Sequence, residues 1–244
     1  MIRDELEGVW HILRKDLKAY YFKPPNISWG ILFPLVLALA FTLRNPAGLA
    51  ELAPGLIALA ALFGTTSMEA IVITFEKRVG ALERLMMAPV SLTTIVVGKV
   101  LGGAVFGGII AGVMTLLSLL FLHSTVHYPI PFVAVLILTV LTHSALGALV
   151  AVSVKEVFEA QTLSNYFRFP MVFLCGVFFP IDAMPVPVQV VAHVLPLTYS
   201  VDALRQILTG TLTQLMVVRD VCALILFLMT FLLLAIRLLK KSVE

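Results

Sequence analysis

Long apolar stretches, separated by short charged or proline-containing segments, dominate the chain. A helix needs about 20 mostly apolar residues to cross roughly 30 Å of hydrocarbon, and most of these stretches are long enough. The pattern therefore predicts an all-α membrane protein with six transmembrane helices. The predicted spans are residues 27–43, 53–75, 93–121, 132–152, 162–179 and 221–239.

Residues 2–22 have a different period, because apolar side chains recur there at steps of three and four with charged side chains between them. This spacing predicts an amphipathic interface helix that lies along a membrane surface. Packing of the same helix on a partner protein is the alternative, and both can hold together. The apolar positions are Ile2, Leu6, Val9, Trp10, Leu13, Leu17 and Tyr20.

The segment between the fifth and sixth spans, residues 181–215, is apolar but repeatedly interrupted by helix breakers. Its uninterrupted pieces are too short to cross a bilayer. Irregular backbone survives at membrane depth only against protein or water, so we expect short external helices that re-enter the membrane and return. The breakers are Pro185, Pro187, Pro196 and Gly210.

Composition supports a membrane setting, since 60% of the residues are hydrophobic, 13% are charged and the mean hydropathy is +1.05. With the boundaries above, most of the 17 Lys and Arg residues fall on the side that holds the N-terminal helix. The positive-inside rule makes that side cytoplasmic, with both termini there. The net charge of +3 is then a matter of topology, and no nucleic-acid partner is expected. We divide the chain into an interface helix, residues 1–25, and a six-span domain, residues 26–244, in contact with lipid.

Two charged residues, Glu69 and Arg168, fall inside predicted spans, where charge is costly. They can be satisfied by snorkelling to the surface or by pairing with each other, or they can join nearby hydroxyl groups in a polar patch that lines a pathway. Aromatic residues crowd the fifth span, where lipid contact or core packing is the alternative to an apolar gate. The candidate pathway residues are Thr65, Thr66, Glu69, Arg168, Phe169 and Phe173, and the candidates for an external gate are Phe178, Phe179 and Pro180.

The connection between the second and third spans, residues 76–91, mixes charged and apolar residues and predicts one or two helical turns that end at Pro89. A short helix of this kind at the cytoplasmic surface is suited to docking into a groove of another protein. A solvated basic loop, kept only for topology, is the alternative.

This connection resembles the permease signature of the ABC type-2 exporter family, in which a Glu, a Gly, a Leu-Glu pair and a Pro-Val or Pro-Leu recur at this spacing. The sequence Gly-Val-Phe-Phe-Pro at residues 176–180 resembles the end of the family's fifth span, and Leu-Pro-Leu-Thr-Tyr at residues 195–199 resembles its external helices. The departures are small, with Ala81 where Thr is more usual and Asp202 where Glu is common.

The resemblance implies a permease subunit of an exporter in the cell (inner) membrane. Two copies, or a copy and a paralogue, would pair, and each would bind a cytoplasmic ATP-binding subunit that carries the ATP and Mg. This chain contains no Gly-x-x-x-x-Gly-Lys-Ser/Thr loop, so no cofactor is expected on it and it is not expected to be an enzyme. The resemblance places ATPase-subunit docking at Glu76, Lys77, Arg78, Gly80, Leu82, Glu83, Arg84, Leu85 and Pro89.

Two rival functions remain at this stage. A secondary transporter or channel independent of ATP would need intramembrane carboxylates or broken helices for ion coupling, and Glu69 is a small basis for it. An intramembrane enzyme would need catalytic patterns such as His-Glu-x-x-His or Gly-x-Ser-x-Gly, which are absent. No metal site is predicted.

Overall fold

The computed structural model describes residues 2–22, 32, 35, 36, 39, 40, 49–122, 124–211 and 213–241, and no strand occurs among them. The prediction of an all-helical chain is confirmed for this part. The predicted first span, residues 27–43, lies outside the described residues except at five positions, so it stays a prediction.

The described residues form nine α-helices. The first continues into a single wider π-helical turn, Leu17–Tyr21, and a 3-10 turn, Ile181–Ala183, follows the sixth. The helices are α1 Ile2–Asp16, α2 Leu49–Arg78, α3 Ala81–Met86, α4 Leu92–Phe121, α5 Pro129–Ser153, α6 Val157–Leu174, α7 Val186–His193, α8 Pro196–Thr209 and α9 Gln214–Lys241.

Four of these helices, α2, α4, α5 and α9, are long and apolar enough to cross a membrane by length and composition. They coincide with the predicted second, third, fourth and sixth spans. The predicted fifth span corresponds to α6, which begins earlier than expected because Glu156 and Glu159 cap its first turn, and which ends before Gly176. Gly176 has a left-handed φ of 75°, which ends the helix there. With 18 residues and several polar side chains, α6 is not among the four.

The centre of the bundle is α2, which packs most extensively on α4 and α5 and also contacts α6 and α8. Close approach to α4 depends on glycine, since a Cβ on Gly64 would lie 3.0 Å from the Cα of Gly107. Gly108 and Gly112, one turn apart on α4, have no such neighbour within 4 Å. The glycine-rich third span therefore packs through only some of its glycines.

One end of the bundle gathers segments that are distant in sequence. Ile12 of α1, Leu82 of α3 and Ile95 of α4 share an apolar cluster with Val152 and Leu239, which lie at the ends of α5 and α9. These are the segments that the charge distribution assigns to the cytoplasm. The structure brings them to one end, and which side of the membrane that end faces stays a prediction.

The predicted external segment contains α7 and α8. At about 1.5 Å per residue, helices of 8 and 14 residues are too short to cross a bilayer. Helix α8 is amphipathic and packs its apolar face against α2, α5 and α9. The predicted short helices are thus present, while their re-entry into a membrane stays a prediction.

Candidate functional site

Helix α1 runs alongside the first half of α4. The Glu5 carboxylate accepts a hydrogen bond from the backbone N–H of Ser91 at 3.3 Å, which satisfies a donor at the start of α4. Further along, Ile12 packs on Gly98, where an added Cβ would lie 3.0 Å from the Ile12 side chain. The Tyr21 ring lies against Gly102 and stacks near Phe106 at 5.4 Å between centroids.

A buried network of four charges joins α1, α2 and α4. Lys99 Nζ lies 2.8 Å from Asp16 Oδ2 and also donates to Glu76, whereas Lys15 Nζ donates to Glu76 Oε1 at 2.6 Å and lies 3.1 Å from Asp16 Oδ1. Asp16 and Glu76 are fully buried. The two carboxylates face two ammonium groups, so the formal charges of the network sum to zero. Burial alone would lower the pKa of Lys15, but the hydrogen bond to Glu76 and the charge of Asp16 raise it above its ordinary value.

A second buried contact joins α1 to α2. The Tyr21 hydroxyl donates to Glu69 Oε2, and Glu69 fits into space left by Gly103 of α4 and Gly147 of α5, because a Cβ at either position would collide with its side chain. The other carboxylate oxygen of Glu69 has no hydrogen-bond partner among the described residues.

Sequence reasoning missed the face of α1 that makes these contacts. Glu5, Gly8, Ile12 and Asp16 are spaced by three, four and four residues and lie toward α4, a second stripe beside the predicted apolar one. On the apolar stripe Leu6 and Trp10 stay exposed, with 58% of Trp10 accessible. The helix thus packs on α4 of its own subunit, whereas its contact with a membrane surface or with a partner protein stays a prediction.

The connection between α2 and α4 is a short helix held on an apolar anchor. Gly80, with a φ of 67°, turns the chain after α2, and Leu82 of α3 is buried in the cluster with Ile73 and Ile95. Lys77 donates to the backbone carbonyls at the end of α5, with 2.7 Å to Val154. The other edge of this connection is at the surface of the subunit: Arg78, Glu83, Arg84 and Pro89 are exposed, whereas Gly80 and Leu85 are half-buried.

The structure places Glu76 elsewhere. It belongs to the predicted docking set, but its side chain is fully buried in the charge network, facing away from the surface that a docked subunit would contact. Of the predicted docking set, Glu76 and Leu82 therefore have side chains that are buried inside the subunit.

Arg168 of α6 is buried against α2, with 2% of its surface accessible. Its Nη1 donates to the Ser67 hydroxyl, its Nε donates to the Ser164 carbonyl at 3.3 Å, and its Cζ lies 5.2 Å from the centroid of the Phe63 ring. Its Nη2 has no hydrogen-bond partner among the described residues. Within the part of the chain that the structure describes, no carboxylate lies within ion-pair distance of this guanidinium.

The expectation that Glu69 and Arg168 snorkel or pair with each other is wrong. Ser67 and Glu69 are two residues apart on α2 and so point about 200° apart, which directs Ser67 toward Arg168 and Glu69 toward Tyr21 and α4. Both charged side chains are buried within the subunit and do not reach a surface. The predicted single polar patch is instead two separate sites on opposite faces of α2.

The other pathway candidates fall into a buried pair on α2 and an exposed pair on α6. Thr65 and Thr66 are buried with their hydroxyl groups bonded to their own helix, where they pack on Gly107 and Gly147. Phe169 and Phe173 are exposed on the outer face of α6. Among the gate candidates, Phe178 is half-buried, and Phe179 and Pro180 are exposed beyond the Gly176 turn, whose carbonyl accepts a hydrogen bond from Arg205.

No group of three or more His, Cys, Asp or Glu side chains that could hold a metal ion occurs in the described ranges. The buried charges described above lie in pairs of opposite sign, or alone, and not in ligand clusters.

Long apolar helices in one bundle, with their charged connections gathered at one end, define a multi-span membrane protein. A family model described as ABC-2 type transporter matches residues 7–209, from α1 to the end of α8. The chain belongs to the ABC-2 type transporter family.

Relatives with recorded names agree with this assignment. The inner membrane transport permease YadH of Escherichia coli (strain K12) is 30% identical over 125 residues, which cover 51% of this chain and 48% of that protein. Nodulation protein J of Rhizobium leguminosarum bv. trifolii is 33% identical over 176 residues, which cover 66% of this chain and 62% of that protein. The matched stretches thus span about half of the first relative and less than two thirds of the second.

Proposed function

We propose that this chain is the transmembrane permease subunit of an ATP-binding cassette exporter, driven by a separate ATP-binding subunit that docks on the connection between α2 and α4. The observation that carries the proposal is the exposed edge of that connection, mounted on a buried anchor between two long apolar helices. Membership of the ABC-2 type transporter family supports it. ATP and Mg would reside on the partner, and this chain supplies the docking surface and the path for the cargo.

The docking edge has the properties of a coupling element. Glu83 and Arg84 are exposed and of opposite charge, so they can pair with charged groups of a partner, and Met87 adds an apolar contact with 79% of its surface accessible. Leu82 holds the same helix against Ile73 and Ile95. A push on α3 is therefore applied to both α2 and α4.

The charge network gives this push a route to α1. Glu76 lies in the last turn of α2, and Lys99 lies about two turns into α4. Both contact the end of α1, since Glu76 pairs with Lys15 and Lys99 pairs with Asp16. We propose that α1, the end of α2 and the start of α4 move as one unit when the ATP-binding subunits close. Rocking of two such units would alternate access between the two sides of the membrane.

A second permease copy, or a paralogue, completes the proposed pathway. Phe169 and Phe173 can line a path only if another subunit covers the outer face of α6, because both point away from the body of this subunit. The turn at residues 176–180 would then close the path on the external side.

The test is reconstitution of the chain with an ATP-binding subunit from the same genome. We expect a stable complex that hydrolyses ATP, and we expect charge reversal by Glu83→Lys or Arg84→Glu to uncouple transport from hydrolysis, with export lowered at least tenfold while the subunits still associate. A charge reversal at an exposed position need not affect folding, so the amount of each variant that is produced serves as a first check of folding.

Asp182→Lys is the matched control, because Asp182 is also exposed but lies on the predicted external side. It should leave coupling unchanged. Unaltered export by both connection variants with the partner bound would contradict the docking assignment. Flux driven by an ion gradient without any ATP-binding subunit would favour the secondary transporter instead.

A further inference from the structure

We propose that Arg168 binds the anionic head group of an amphipathic ligand between α2 and α6. This inference rests on the proposed function only in treating that ligand as cargo. The binding site itself follows from the surroundings of the guanidinium, which hold hydrogen-bond acceptors but no negative charge among the described residues.

The first step is charge balance. An arginine stays protonated at any physiological pH, and a buried ion without a counter-ion is strongly unfavourable. Elsewhere in this subunit the buried cation Lys99 faces two carboxylates. Arg168 has a hydroxyl, a carbonyl and the face of Phe63, all of which are neutral. The missing partner is an anion.

The second step is geometry. One hydrogen bond uses Nε and one uses Nη1. Nη2 is buried and has no hydrogen-bond partner among the described residues. A guanidinium presents its N–H groups as a planar fork that matches the oxygens of carboxylate, sulfate or phosphate. The free nitrogen is thus the one able to take a new anionic oxygen while the contacts to Ser67 and Ser164 hold the side chain in place.

The third step is access from the outer face of α6. Pro170 lies two residues after Arg168, lacks a backbone N–H and so removes a hydrogen bond from the helix beside the guanidinium. The flanking side chains Phe167 and Phe169 are exposed. Because the guanidinium is buried, entry requires α6 and α2 to separate locally. A ligand that enters there would place its acidic head at Arg168 and lay its apolar chain on the exposed Phe169 and Phe173. This identifies the ligand class as acidic amphiphiles.

The test measures binding to the purified chain without an ATP-binding subunit, in a neutral maltoside detergent. The probe is dodecyl phosphate, compared with dodecanol as the matched uncharged ligand, and the readout is the ligand-dependent rise in unfolding temperature. We expect the wild type to prefer the phosphate. Arg168→Met and Arg168→Gln should weaken phosphate binding at least tenfold and leave the dodecanol response unchanged, while Arg168→Lys should retain part of the preference.

Arg237→Met is the matched control, because it removes the same charge from an exposed arginine on α9. It should bind the phosphate as the wild type does. Arg168→Gln keeps a hydrogen-bonding group for Ser67, so it provides the comparison if the methionine variant does not fold. Equal phosphate binding by wild type and Arg168→Gln, or no preference for phosphate in the wild type, would overturn the site.

The source of the anion is decided in bilayer nanodiscs of phosphatidylcholine with or without phosphatidylglycerol. If phosphatidylglycerol displaces the probe from the wild type, the anion is a membrane lipid that resides at Arg168, and the assignment as cargo is overturned while the site stands. If the probe remains bound, the ligand is cargo of the proposed exporter. Because no ATP-binding subunit is present, failure of the exporter proposal would leave these results unchanged.

Discussion

Two charged sites in this subunit differ in their charge balance. The network of Lys15, Asp16, Glu76 and Lys99 contains equal numbers of positive and negative groups, contributed by three helices. Arg168 is as deeply buried but is surrounded by neutral groups in the described structure. The difference indicates that the first site is complete within the subunit and holds helices together, whereas the second is complete only when something else is bound.

The strongest test of this comparison removes one cation from the complete site. Lys99→Met should lower the free energy of unfolding by about 3–5 kcal/mol, because it leaves two buried carboxylates with only the partly exposed Lys15 as a cationic partner. Unfolding in mild detergent, followed by helix content, measures the change. Proteolysis at the start of the chain should accelerate in the same variant, since α1 loses its buried contact to α4.

Lys15→Met is the control for this prediction. Lys15 belongs to the same network, but its side chain is 44% accessible, so solvent can compensate part of the lost charge. Its effect should be clearly smaller than that of Lys99→Met. Equal effects at the two positions would mean that burial does not determine the contribution of each cation.

The contact between Tyr21 and Glu69 is intermediate between the balanced network and the unpaired Arg168. Among the described residues, one carboxylate oxygen of Glu69 has a hydrogen-bond partner and the other has none. Tyr21→Phe removes the hydroxyl that donates to Glu69 and keeps the ring on Gly102 and Phe106. We expect a loss of about 1–3 kcal/mol, the cost of a buried polar group left without its hydrogen bond. The same unfolding measurement applies, and Tyr166→Phe, on an exposed side chain of α6, should change stability less.

The sequence predicts the bundle better than it predicts either charged site. Spans such as α5 and α9 are encoded locally, by the length of an apolar run and the charges that follow it. The short helix α3 was also predictable, because the proline at position 89 and the mixed polarity before it are local signals. Its observed end, Met86, lies just before that proline.

The charged contacts have no such local signal. Lys99 and Asp16 are separated by 83 positions, and nothing in the sequence around either residue indicates the other as its partner. The separation of Glu69 from Arg168 was within reach of the sequence, since Ser67 and Glu69 must point in opposite directions on one helix. The sequence does not predict which neighbouring helix each face of α2 contacts, because that depends on how α2 packs against α4, α5 and α6.

The smallest predicted effect removes the cation of the incomplete site. Without an acidic ligand, Arg168→Met should leave stability unchanged or raise it by about 0–2 kcal/mol, because an uncompensated buried charge is replaced by an apolar side chain of similar length. Unfolding in the same neutral detergent allows direct comparison with Lys99→Met, which has the opposite expected sign. A loss as large as that of Lys99→Met would show that Arg168 already has a stabilising partner within the subunit, and the two sites would then no longer differ.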